Sequence, residues 1–126
     1  MDLTLLDNNA ALLGRVLIGF YFLFFVFWNT CHRQDALACM RQQKIPFAPM
    51  FLASGIILEG CAGLLIIFAQ YTAIAASLLI IFTLGATLMF HRFWTMPAGP
   101  LRTLNTIIFI NNLTVTVGGL LLLVPF

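Results

Sequence analysis

Four stretches of this 126-residue chain are each long and apolar enough to cross a lipid bilayer. A spanning helix needs about 20 mostly apolar residues to cover a hydrocarbon core of about 30 Å. The runs are Ala10 to Trp28, broken only by Arg15; Ala48 to Ala69, broken only by Glu59; Tyr71 to Phe90, with no charge; and Leu104 to Val124, with no charge but with Asn105, Asn111 and Asn112. Backbone amides in lipid must be satisfied within the segment, and barrel strands alternate apolar with polar. These runs do not alternate, so helices are expected. With 62% hydrophobic and 8% charged residues, the chain lies far outside the range of soluble domains and of disordered ones. A net charge of +2 provides no basic field for nucleic acid. The expectation is an all-α integral membrane four-helix bundle, one domain over residues 1–126, with the lipid bilayer as its first partner.

The connections differ. Residues 29–47 hold the stretch Asp35 to Gln43, with an acid early and Arg41 late, a placement that complements a helix dipole. Leu37 and Met40 share a face, which predicts a short interfacial helix stopped before Pro46. The second connection, around Gln70, is a tight hairpin. The third, residues 91–103, holds Pro97, Gly99 and Pro100 and reads as an irregular loop. Arg33, Arg41, Lys44, Arg92 and Arg102 all fall in or beside the first and third connections. The positive-inside rule puts those two connections in the cytoplasm and both termini outside. Trp28 and Trp94 then form an aromatic belt at the cytoplasmic face. Asp2 and Asp7 stand where a cleavable signal would carry positive charge, so the first run is expected in the mature protein.

Polar residues inside spanning segments are costly and usually face the bundle interior with a partner. Glu59 lies near the middle of its run. Arg15 lies about 9 Å into the first run, at 1.5 Å per residue, which leaves a gap of about 6 Å and allows an Arg15–Glu59 ion pair. Asn111 and Asn112 fall near the same depth, and an amide can complete the bonding of a buried carboxylate. Adjacent positions point about 100° apart, so one of the two faces inward, and Asn112 is favoured because it shares a stripe with Asn105, Thr116 and Gly119. Gly55, Glu59 and Gly63 are four apart, as are Arg15 and Gly19, and small residues at that spacing let helices approach closely. This cluster of Arg15, Glu59, Asn111 and Asn112 has two readings. It locks four helices together, or Glu59 accepts protons or polarises a ligand under the influence of Arg15. Loss of water and a nearby arginine act in opposite directions on a carboxylate.

His32, His91 and Trp94 are the interfacial candidates. Cys31, His32, Cys39 and His91 lie near one face, yet no CxxC or other metal spacing occurs, and no metal site is expected. In the cytoplasm Cys31 and Cys39 stay reduced; in an inverted topology they could pair. Cys61 is expected to pack as a small apolar group.

The residues resemble the DoxX family of small four-helix membrane proteins. The resemblance runs from Leu12 to Leu123. It is carried by Gly14 to Phe20, Ile45 to Pro49, Leu58 to Gly63, His91 to Trp94 and Asn112 to Leu120. Arg15, Glu59, His91 and Asn112 match the family's arginine, glutamate, histidine and asparagine. The Gly-x-x-Lys run that closes the first span in many members is here Phe27 to His32, without glycine or lysine. The resemblance implies a multi-pass protein of the bacterial inner membrane. Some relatives are subunits of a thiosulfate:quinone oxidoreductase and others are linked to thiol redox balance, but a shared fold does not transfer a reaction. The chain has no haem, flavin or nucleotide motif and no cofactor of its own. A redox role, with quinone as the ligand, would need a partner subunit to bring the electrons; beside the bilayer, a partner protein or a homo-oligomer is expected. The alternatives are a non-enzymatic membrane scaffold and, less well served by four helices, a small transporter.

Overall fold

The computed structural model describes residues 3–124, and residues 3–8 by their backbone alone. Met1, Asp2, Pro125 and Phe126, and with them the sidedness expected of the chain ends, lie outside the described residues. The elements are α1 (Leu3–Cys31), α2 (Arg33–Gln42), α3 (Ala48–Ile67), α4 (Thr72–Phe90), a short 3-10 turn (Phe93–Thr95), α5 (Pro100–Asn111), a π-helical segment (Asn112–Thr116) and α6 (Val117–Leu121). Four helical stretches are long and apolar enough to span a membrane: Asn9–Cys31, Ala48–Ile67, Thr72–Thr95 and Pro100–Leu121. The protein is an all-helical membrane bundle.

Several boundaries move for physical reasons. The fourth span begins at Pro100 rather than Leu104, because proline is suited to the first helical position, where no N–H is needed. The third span from the N-terminus follows an α3 that ends at Ile67, two residues earlier than the apolar pattern suggests. There Ala69 adopts φ 56°, its N–H bonds Ile66 O at 3.2 Å, and Gln70 N–H bonds Leu65 O at 2.9 Å. This is a Schellman closure with alanine where glycine is usual. Helix α2 ends in the same way: Lys44 has φ 58°, Lys44 N–H bonds Arg41 O at 3.0 Å and Ile45 N–H bonds Met40 O at 3.1 Å. The α2 helix itself carries Asp35 in its first turn and Arg41 in its last, and buries Met40.

Helices α1 and α3 cross at two glycines. A Cβ on Gly19 would stand 2.3 Å from Ile67 Cγ1 and 2.9 Å from Gly63 O; one on Gly63 would stand 3.1 Å from Gly19 O. No side chain separates the two backbones. Gly55 faces Phe82 of α4, and Gly119 faces Ile18. The interior has two halves. Toward the α3–α4 turn it is apolar, with Phe22, Ala62, Ile66, Ala75, Ala76, Leu79 and Leu120 in one cluster. Toward α2 it is polar. Phe20, Phe24, Phe27 and much of the remaining aromatic and aliphatic surface face outward, where lipid would lie. Cys61 is also exposed rather than packed, since two positions past Glu59 is the opposite side of α3.

The fourth span is not a uniform α-helix. Val117 N–H reaches back to Asn112 O, a five-residue step. Within the segment, the Thr114 hydroxyl donates to Ile110 O at 2.7 Å. Such back-bonding competes with the regular ladder and favours a local widening. The inward face shifts by one position as a result. Asn105 is buried, but further along the buried residues are Val117 and Leu120, not Thr116 and Gly119.

Candidate functional site

Glu59 is the one acidic side chain buried among the described residues, 6% exposed on the inner face of α3. It shares that face with Ala62, Gly63 and Ile66, at the border between the polar and apolar halves. Its Oε2 is buried and has no hydrogen-bond partner. A buried carboxyl oxygen without a partner is costly, so such a group is a natural place to look for a ligand contact.

The expected Arg15–Glu59 ion pair does not form. Arg15 is half-buried on α1 and its Nε, like Glu59 Oε2, is a buried atom without a partner. The glycine crossing sets the register. With Gly19 level with Gly63, Arg15 lies level with Ile67 of the antiparallel α3. Glu59 is eight positions further along, about 12 Å at 1.5 Å per residue. Depth counted from the ends of the apolar runs misses this, because α1 extends beyond its apolar run at both ends.

The asparagines also separate. Asn111 is exposed on the outer face. Asn112 points inward, and its amide donates to Thr87 Oγ1 of α4 at 3.0 Å. Neither bonds the Glu59 carboxylate among the described residues. The structure therefore resolves the expected four-residue cluster into separate parts: Glu59 on α3, Arg15 two turns or more away, Asn112 in a pair with Thr87, and Asn111 facing out.

His91 has a defined partner. Its Nδ1 stands 2.7 Å from Asn105 Oδ1, while Asn105 Nδ2 donates to Leu101 O at 2.9 Å. Because the amide nitrogen is committed to the carbonyl, its oxygen must accept, and His91 Nδ1 must carry the proton. Neutral His91 then presents Nε2 as an acceptor. Beside it, Trp94 packs edge-on to Phe93 and Phe109. Arg92 donates to Gln43, which ties the third connection to the end of α2. His32 stacks on Trp28 with ring centroids 3.9 Å apart, and its Nδ1 is 3.0 Å from Trp28 O. This pair is on the exposed surface at the α1–α2 junction, remote in chain and contact from Glu59.

Three interior polar residues stand outside the cluster expected from the sequence: Thr83, Thr87 and Asn105. A signal for them exists. Thr83, Thr87 and His91 are four apart and so fall on one stripe of α4, while Asn105 and Asn112 are seven apart on the facing span. Together they build a polar column that leads from His91, at the end of α4, into the bundle. No group of three or more His, Cys, Asp or Glu residues gathers among the described residues, and Cys31, Cys39 and Cys61 are free thiols. Two surface grooves, one lined by Phe47, Met50, Phe51 and Ser54 and the other between α1, α2 and α3, do not include Glu59.

The family model for DoxX matches residues 10–92, from the start of the first span to the residue after His91. Arg15, Glu59 and His91 fall inside that match; Asn105, Asn112 and the Gly118–Gly119 pair fall beyond it. No curated protein and no solved structure is detectably similar to the chain.

Proposed function

The chain belongs to the DoxX family, and on that premise we propose that it is an accessory, redox-associated subunit of the bacterial inner membrane that acts with a partner protein and handles an apolar quinone. The observation that carries the reading is Glu59: an ionisable side chain in a spanning helix, buried, with one oxygen unpartnered. Intramembrane ionisable groups are functional candidates by default. A protonated carboxyl donates to a quinone carbonyl, an ionised one accepts from a quinol hydroxyl, and the group can hold a proton where water is absent. On one side of it the inner faces of α3 and α4 are apolar, with Ala62, Ile66, Ala75, Ala76 and Leu79, as a ring entering from lipid requires, and on the other Thr83 and Thr87 begin the polar column. Electrons would come from the partner, since the chain carries no motif for an electron-transferring group. The lysine and arginine distribution favours a cytoplasmic position for α2 and the third connection.

A second reading rests on the surface that holds α2. Arg92 joins it to the third connection through Gln43, and Arg33 and Arg41 are exposed. A rigid basic face of this kind suits a scaffold for another protein.

The test is to purify the protein in native lipid discs and measure bound small molecules and co-purifying proteins by mass spectrometry. The expected result is a stoichiometric quinone that is lost in Glu59→Gln. Quinone retained unchanged in that variant would remove Glu59 from the site. A consistent partner without quinone would favour the scaffold.

A further inference from the structure

We infer that the groove between α1, α2 and α3 seats one acyl chain of an anionic phospholipid, with its phosphate held by Arg33. The groove is lined by Thr30 at the end of α1, Arg33 and Leu37 on α2, and Pro49, Leu52 and Ile56 on α3. Positions 49, 52 and 56 run along one stripe of a membrane-spanning helix, so the groove extends about 10 Å into the hydrocarbon layer. Its lower walls open to lipid rather than to water. At about 190 Å³ it is smaller than the roughly 300 Å³ at which pockets for compact ligands begin. A narrow slot of that size along a helix suits a chain and not a ring.

An apolar wall cannot choose among lipids, because lipid tails are as apolar as leucine. Selectivity must come from the mouth. Arg33 lies two residues past the end of α1, at headgroup level, and is exposed. Asp35 is the sole acid of the connection, against Arg33, Arg41 and Lys44. Arg41, Lys44 and Arg102 add exposed positive charge to the same face. Arginine presents a planar fork suited to phosphate, on a stem that can line apolar surface while its head stays in the interface. Basic pockets between spanning helices are recognised headgroup sites.

The experiment is native mass spectrometry of the full chain, exchanged into equal amounts of phosphatidylglycerol and phosphatidylcholine with identical acyl chains. One phosphatidylglycerol per chain should be retained in about fivefold preference over phosphatidylcholine, the ratio expected for one cation acting on one lipid charge. Arg33→Gln should bring the ratio near one. Arg41→Gln, on the same helix but off the groove, should lower it far less. Leu52→Trp should fill the slot and lose retained lipid of both kinds. Equal retention by the unaltered protein overturns the inference, and so does an equal effect of Arg33→Gln and Arg41→Gln, which would spread the attraction over the whole face. A photoreactive side chain at Leu52 gives an independent readout. A lipid adduct supports the site, and a cross-link to a second copy or to another protein overturns it.

Discussion

Gly19 and Gly63 meet backbone to backbone where α1 crosses α3, with Gly63 O placed 2.9 Å from where a Gly19 Cβ would stand. That contact fixes the register of the two charged spans and so keeps Arg15 from Glu59. Alanine at position 19 would have to displace both Ile67 and a backbone oxygen. Gly19→Ala should destabilise by about 1–3 kcal/mol, as overpacking does. Gly63→Ala should cost less, and Gly14→Ala, which meets open space inside α1, should raise stability by up to about 1 kcal/mol. Thermal unfolding in detergent gives the order; equal midpoints for all three variants would sink the crossing.

In this register Arg15 and Glu59 act independently. A double-mutant cycle with Arg15→Gln and Glu59→Gln should be additive within about 0.5 kcal/mol. A coupling well above that would mean a direct pair.

Thr87 and Asn112 should couple. The bond between them lies inside the bundle, where interhelical hydrogen bonds contribute about 0.6 kcal/mol on average and up to about 1.7. A cycle with Thr87→Val and Asn112→Leu, followed by unfolding titration in mixed micelles, should give a coupling in that range.

His91 should be held in one tautomer. Nitrogen NMR of the neutral ring should show the proton on Nδ1, because Asn105 Oδ1 accepts there. Asn105→Leu should release the ring to a mixture. A ring already mixed in the unaltered protein would contradict the Asn105 contact.

Ala69 occupies a left-handed conformation at the end of α3. That conformation costs a non-glycine residue roughly 1–2 kcal/mol. Ala69→Gly should therefore raise stability by up to about 1 kcal/mol after the unfolded-state entropy of glycine is deducted. Thermal unfolding against the parent protein checks the sign.

The four spans, the short helix of the first connection and the burial of Glu59 are all legible in the sequence, because hydrophobic length and a charge inside an apolar run are strong signals. The close packing of Gly19 and Gly63 is legible too, from the spacing of small residues. What the sequence hides is register. Arg15 and Glu59 look close when depth is counted from the ends of apolar runs, yet side-chain contact depends on which glycine meets which. Thr87 and Asn105 are only faintly legible. Their spacing puts them in line with His91 and Asn112, but threonine and asparagine are also common at lipid interfaces and helix ends, and their partners on a second helix complete the assignment. The shift of the inward face after Asn112 is hidden because a π-turn depends on local competition for one carbonyl, which no periodicity count foresees.

That π segment leaves the fourth span with one residue more than its inward stripe needs. Asn105 and Asn112 keep helical phase with one another, and Val117 and Leu120 resume it one position late. The span therefore carries slack in its count. Removing a single exposed residue between Asn112 and Thr116 would close the wide turn into an ordinary one and return both halves to a common phase. The same deletion between Thr83 and Thr87 of α4, where the spacing is already tight, would rotate every interior residue beyond it by about 100° and face the polar column to lipid. Tolerance to shortening is thus concentrated in one turn of one helix.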